Sequence, residues 1–212
     1  MRSTKAPGFS FGEALISITI VGIISVAAFY NLRSARMTDE LRTASRVLAA
    51  DLRSAQSRAL QGENIKWCLD SMGDNIVCEN GTALCADPAT CTAQPAGGFG
   101  VHFYKNSDTY DVYSIYTTEA TDWRRTQIGE NLLIRALPRS GAANVTIIGL
   151  QSAISYDEVD VAFQRQNGNM KINACSSCTE ASYLNVQLRH NTSLKVITVS
   201  LNRLTGRISI EE

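Results

Sequence analysis

The chain has 212 residues, 44% hydrophobic and 19% charged, with 20 Lys plus Arg against 20 Asp plus Glu. That length and apolar content support one sizeable core with appendages and exclude a low-hydropathy disordered chain. The charge balance excludes recognition of a polyanion or an acidic substrate through a global field, so any electrostatic role must come from local clusters.

Residues 1–8, MRSTKAPG, are short and basic through Arg2 and Lys5. From Phe9 to Tyr30 the only charged side chain is Glu13. Those roughly 22 residues, at about 1.5 Å per residue, match a hydrocarbon thickness of about 30 Å, which predicts a membrane-spanning helix over 9–30. Arg2 and Lys5 favour a cytoplasmic amino terminus, but the arginines beyond Tyr30 pull the other way, so flanking charge leaves the orientation open. A removable secretory signal would end in a small-x-small site, and SVAAF offers one; the run is longer than a usual signal core and carries a glutamate, which weighs against removal.

The helical spacing continues past the apolar run. Leu41, Ala44, Leu48, Leu52, Ala55 and Ala59 recur at three and four residues, and no Pro or Gly intervenes between Gly22 and Gly62. One helix is therefore predicted from about Phe9 to about Leu60, on the order of 78 Å long, with an amphipathic continuation over 31–61. That continuation is locally basic, with Arg33, Arg36, Arg42, Arg46, Arg53 and Arg58 against Asp39, Glu40 and Asp51. Its arginines read partly as a solvated face and partly as contacts for acidic faces of neighbouring subunits.

Beyond Gly62 the period changes to two. NIKWCL, NIVCEN, FGVHFYK, YDVYSIYTT, NVTIIGL, VDVAFQ, YLNVQLR, LKVITVSLN and GRISI are alternating or β-branched runs separated by turn formers. Residues 62–212 thus read as a β-rich head, and the order of one long helix followed by strands predicts an α+β fold with an antiparallel sheet packed on the helix stripe. Tyr104, Tyr110, Tyr113 and Tyr116 read as sheet or interface surface.

A carboxylate at bilayer depth costs about 2.5–3.5 kcal/mol on insertion scales. The helix macrodipole returns only about 0.3–1 kcal/mol at a helix start, so Glu13 calls for a cationic partner. A cut after Gly8 would create one, the new amino terminus on Phe9, which in a neighbouring copy displaced along the axis can face Glu13.

GFSFGEALISITIVGII behind a short basic leader resembles the class III signal of type IV pilins and type II secretion pseudopilins, whose pattern is a Gly cut site, then Phe, then Glu as fifth mature residue. The resemblance implies cleavage after Gly8 by a membrane prepilin peptidase, methylation of the Phe9 amine, and offset of that amine by Glu13 during assembly. Gly12 stands where Ile or Val is usual, and Tyr30 where major pilins commonly have Pro, which points toward a minor pilin or pseudopilin. LAADLRSAQSRALQ, VAFQRQNGN with Phe163 and Gly168, and VSLNRLTGRISI are similar to minor pseudopilins of the GspH/FimT type. The family implies a pilin-like fold and a structural subunit of a type II secretion pseudopilus or type IV pilus. It also implies a single pass of the bacterial inner membrane, a periplasmic head, and other pilins or pseudopilins as partners through the helix; no cofactor is implied.

The alternative is a pilus-tip subunit that binds DNA or a surface. Nucleic acid is not favoured, because Arg203 and Arg207 are followed by Glu211 and Glu212, which repel phosphate.

The six cysteines, Cys68, Cys78, Cys85, Cys91, Cys175 and Cys178, are an even set suited to disulfides in a head outside the inner membrane. Local pairs are expected: Cys68 with Cys78 in a hairpin, Cys85 with Cys91 around ADPAT, and Cys175 with Cys178. Zinc would need two close pairs, and the Cys85 and Cys91 spacing departs from that pattern. For CSSC, a redox role would need a βαβ setting that the strand pattern lacks. Asp70, Asp74, Glu79 and Asp87 lack calcium-loop spacing. His102 falls on one face of a strand and His190 in a turn, neither with a nucleophile signature, so no catalytic residue is expected.

Overall fold

Nothing between Phe11 and Gln61 stops a helix: there is no proline, and an interior glycine such as Gly22 costs only about 1 kcal/mol against alanine. In the computed structural model this stretch is a single unbroken helix, α1 (Phe11–Gln61). The structure describes residues 11–69, 75–77, 91–115, 131–137, 144–165, 167–173 and 181–211. The helix stops where a left-handed residue is tolerated. Gly62 has φ 62°, its N–H donates to Ala59 O at 3.2 Å, and the N–H of Glu63 donates to Arg58 O at 3.3 Å. This pair of bonds is the Schellman termination, which satisfies carbonyls the last turn would otherwise leave open. Arg58 reinforces the corner, donating to Glu63 Oε1 at 2.8 Å and lying 4.5 Å over the ring centroid of Phe99.

The six stripe residues read from the spacing, Leu41, Ala44, Leu48, Leu52, Ala55 and Ala59, are all buried, joined by Ser45 and Ala49. They pack on strands of which β11 and β12 alternate in burial as half-covered sheets do. The strands are β1 (Asn64–Leu69), β2 (Asn75–Val77), β3 (Thr92–Pro95), β4 (Gly98–Tyr104), β5 (Thr109–Ile115), β6 (Asn131–Ala136), β7 (Val145–Gln151), β8 (Ser155–Tyr156), β9 (Glu158–Gln164), β10 (Met170–Asn173), β11 (Tyr183–His190), β12 (Val196–Asn202) and β13 (Arg207–Glu211). The result is an α+β fold, with one long amino-terminal helix on antiparallel sheets. Where the spacing predicts one sheet there are three, ordered β2-β1-β3, β10-β9-β4-β5-β6 and β13-β12-β11-β7-β8. The two five-stranded sheets meet at a bridge between Ser107 and Ile147, and both bury one face against the second half of α1.

The two large sheets differ in their outer faces. On β11 and β12 only one face is buried, through Leu184, Val186, Leu188, Ile197, Val199 and Leu201. On β4, β5 and β9 both faces are buried. Phe99, Val101, Phe103, Val161 and Phe163 belong to the core that includes the helix, whereas Tyr113, Ile115 and Ala162 form a separate apolar cluster. Tyr110 and Tyr113 are therefore interior residues, not the surface tyrosines expected from the alternation. Tyr110 reaches the helix, donating its hydroxyl to Asp51 Oδ2 at 2.6 Å. Tyr116 lies outside the described residues.

The expected cysteine pairing is corrected. β1 and β2 do form an antiparallel hairpin, but Cys68 faces Ile76 there. On its other side β1 pairs with β3, Trp67 opposite Thr92, so one step further along the ladder brings Cys91 opposite Cys68. These two form a disulfide, S–S 2.08 Å, which excludes both Cys68 with Cys78 and Cys85 with Cys91. Cys78, Cys85, Cys175 and Cys178 lie outside the described residues, as do Asp70, Asp74, Glu79 and Asp87.

Candidate functional site

The burial of α1 changes along its length. From Phe11 to Leu32 every residue is exposed, including Phe11, Leu15, Ile16, Ile18, Ile20, Val21, Ile23, Ile24, Val26 and Phe29. This part is long and apolar enough to cross a bilayer, and none of it is covered by the head. Two of its hydroxyls bond back within the helix, as a lipid environment favours. Thr19 Oγ1 donates to Leu15 O at 2.8 Å and Ser25 Oγ to Val21 O at 2.7 Å. Glu13 stands in the first turn of this bare stem, at the positive end of the helix dipole. Gly8 and Phe9 lie outside the described residues.

Two contacts that the spacing of the sequence does not reveal hold the stem's continuation to the head. His190, at the end of β11, is 2% exposed. Its Nδ1 accepts the N–H groups of Thr192 and Ser193, each at 3.2 Å. The ring proton therefore sits on Nε2, which donates to Glu40 Oε2 of the helix at 3.1 Å. Asn144 Nδ2 donates to the same oxygen at 3.4 Å. His190 thus ties a hairpin turn to the helix, which is more than a turn residue does. One signal was available: Leu184, Val186 and Leu188 continue to His190 at period two on the buried face of β11.

His102 lies where its strand position puts it, on the face of β4 away from the helix stripe. The register sets it between Asp111 of β5 and Asp160 of β9. Its Nδ1 is 2.7 Å from Asp160 Oδ1, its ring meets Tyr104 edge-on at 4.3 Å, and Tyr104 donates to Asp111 Oδ2 at 3.2 Å. The Nε2 is buried and without a hydrogen-bond partner among the described residues, with Glu158 Oε2 3.9 Å away. Among the described residues no group of three or more His, Cys, Asp or Glu is placed to hold a metal.

No family model, curated protein or solved structure matches the chain. The architecture, one long apolar amino-terminal helix whose second half packs on antiparallel sheets, is consistent with a pilin-like fold.

Proposed function

We propose that this protein is a structural subunit of a filament of the pilus or pseudopilus kind, inserted in a membrane by the first half of α1 and assembled through that same surface. The observation that carries this reading is the change in burial along one continuous helix. Leu41 to Ala59 present a sealed stripe to the head, while Phe11 to Leu32 present an apolar cylinder to nothing in the chain. A bare cylinder of that area is stable only in lipid or against other helices. Neighbouring copies offer the second once the first is left behind.

The reading gives Gly8, Phe9 and Glu13 their roles. A prepilin peptidase cuts after Gly8, the Phe9 amine becomes the mature amino terminus and is methylated, and Glu13 of one subunit meets that amine in the next. The rigid link between stem and head, with no break in α1, lets displacement of the stem carry the head with it. Minor rather than major subunit status rests on the absence of proline at Tyr30 and on the GspH/FimT likeness of LAADLRSAQSRALQ, VAFQRQNGN and VSLNRLTGRISI.

The testing experiment is Glu13→Ala in the full chain. Membrane extraction should remain unchanged or tighten, because the substitution removes an insertion penalty. Recovery in sheared filaments should fall several-fold. Incorporation at the wild-type level would contradict the assembly role.

A further inference from the structure

We infer that the junction of stem and head carries a seat for the phosphate of an anionic membrane phospholipid, built by the helix turn after Tyr30 and the β11–β12 turn. This inference rests on the membrane-spanning reading of α1. A cleft of about 400 Å³ opens there, lined by Tyr30, Arg33, Ser34, Met37, Thr192, Ser193 and Lys195. Two cations, three aliphatic hydroxyls and a phenol converge on it, and no carboxylate lines it. Glu40 of the helix is already engaged by His190 and Asn144, and Asp39 is exposed on the helix outside the lining.

The height of the cleft matches a lipid headgroup. If the apolar run ends at Tyr30, Arg33 lies about 4.5 Å further along the axis and Thr38 about 12 Å. The polar layer of a bilayer extends about 5–8 Å beyond the hydrocarbon on each side. Arg33 then sits at phosphate depth and Tyr30 in the aromatic belt. Lys195, whose Nζ donates to Thr38 Oγ1 at 2.8 Å, closes the cleft from the aqueous side.

A second observation points the same way. Leu194, at the tip of the same turn, adopts φ 56°, a conformation that asparagine or glycine takes at lower cost. Its side chain is 65% exposed. Its backbone is held by Leu194 N–H to His190 O at 2.9 Å. An apolar side chain held exposed in a strained backbone next to Lys195 is suited to the interfacial region of a bilayer.

The test uses the full chain reconstituted in vesicles of phosphatidylcholine with phosphatidylglycerol. Alkaline carbonate extraction is followed by mild detergent release and native mass spectrometry of retained lipid. Each Lys or Arg near an anionic surface adds about 1 kcal/mol of attraction, so two predict retention of phosphatidylglycerol over phosphatidylcholine by roughly 10- to 30-fold. Arg33→Gln with Lys195→Gln should bring the ratio near parity, and Arg33→Lys with Lys195→Arg should keep it. A chain that stays embedded but shows the same ratio in both double variants overturns the lipid seat alone. A chain that carbonate strips away overturns the membrane reading and the seat together. Retention of inorganic phosphate by protein from phosphatidylcholine vesicles, lost in the glutamine variant, would reassign the cleft to a free anion.

Discussion

His190 and Glu40, separated by 150 positions in the chain, meet at 3.1 Å between Nε2 and Oε2. The contact joins the last residue of a strand to the first well-buried stretch of the helix, at the level where the stem leaves the head. Replacing His190 by alanine removes the acceptor of two backbone N–H groups and one of the two donors to Glu40 Oε2. The expected loss is about 1–3 kcal/mol in urea denaturation of the detergent-solubilised full chain. A double-mutant cycle with Glu40→Gln should return a coupling above about 0.5 kcal/mol. Additive losses would mean that the contact does not dock the hairpin.

The two halves of α1 should respond differently to the same truncation. Leu48 is fully buried under the sheets and Leu15 is bare. Leu48→Ala is expected to destabilise the head by about 2–5 kcal/mol, whereas Leu15→Ala should leave its denaturation midpoint unchanged and act on assembly alone. Chemical denaturation and filament recovery of both variants check this.

That division was legible in the sequence because helical periodicity over many residues is a strong signal. The six stripe positions and the absence of breakers carried the whole of α1. The strands were legible where alternating or β-branched runs stood between turn formers, as in YLNVQLR and FGVHFYK. Thr92–Pro95, Asn131–Ala136, Ser155–Tyr156 and Met170–Asn173 were missed. Three of them are only two to four residues long. The fourth, NLLIRA, opens on consecutive apolar residues instead of alternating. The division of the strands into separate sheets and the burial of Tyr110 and Tyr113 depend on which strands become neighbours, and local pattern does not encode that. The disulfide failed for the same reason: Cys91 reaches Cys68 through a strand, TAQP, that has no strand-like alternation.

Cys68 and Cys91 close a loop with a sequence separation of 23. Chain-entropy arguments give such a closure about 3 kcal/mol of stabilisation. Cys91→Ser should lower stability by that order, and non-reducing peptide mapping of the wild type should recover a fragment joining the two residues. Recovery of Cys68 linked to Cys78 would contradict the register described above.

Gly100 lies beneath the ring of Tyr113, where an added Cβ would fall inside van der Waals contact with the phenol. Gly100→Ala is expected to cost about 1–3 kcal/mol through overpacking. In a Tyr113→Ala background the same change should cost little, since the obstructing ring is gone. Equal costs in both backgrounds, measured by thermal unfolding, would show that the ring is not the obstacle.

The account depends most on the chemistry of the chain's own start, which mass spectrometry of protein extracted from membranes reads directly. Cleavage after Gly8 predicts a mature terminus at Phe9 with one added methyl group and the rest of the stem intact. Retention of Met1 to Gly8, or a terminus downstream of the apolar run near SVAAF, would contradict the claim that Glu13 serves an exposed amine in a neighbouring subunit.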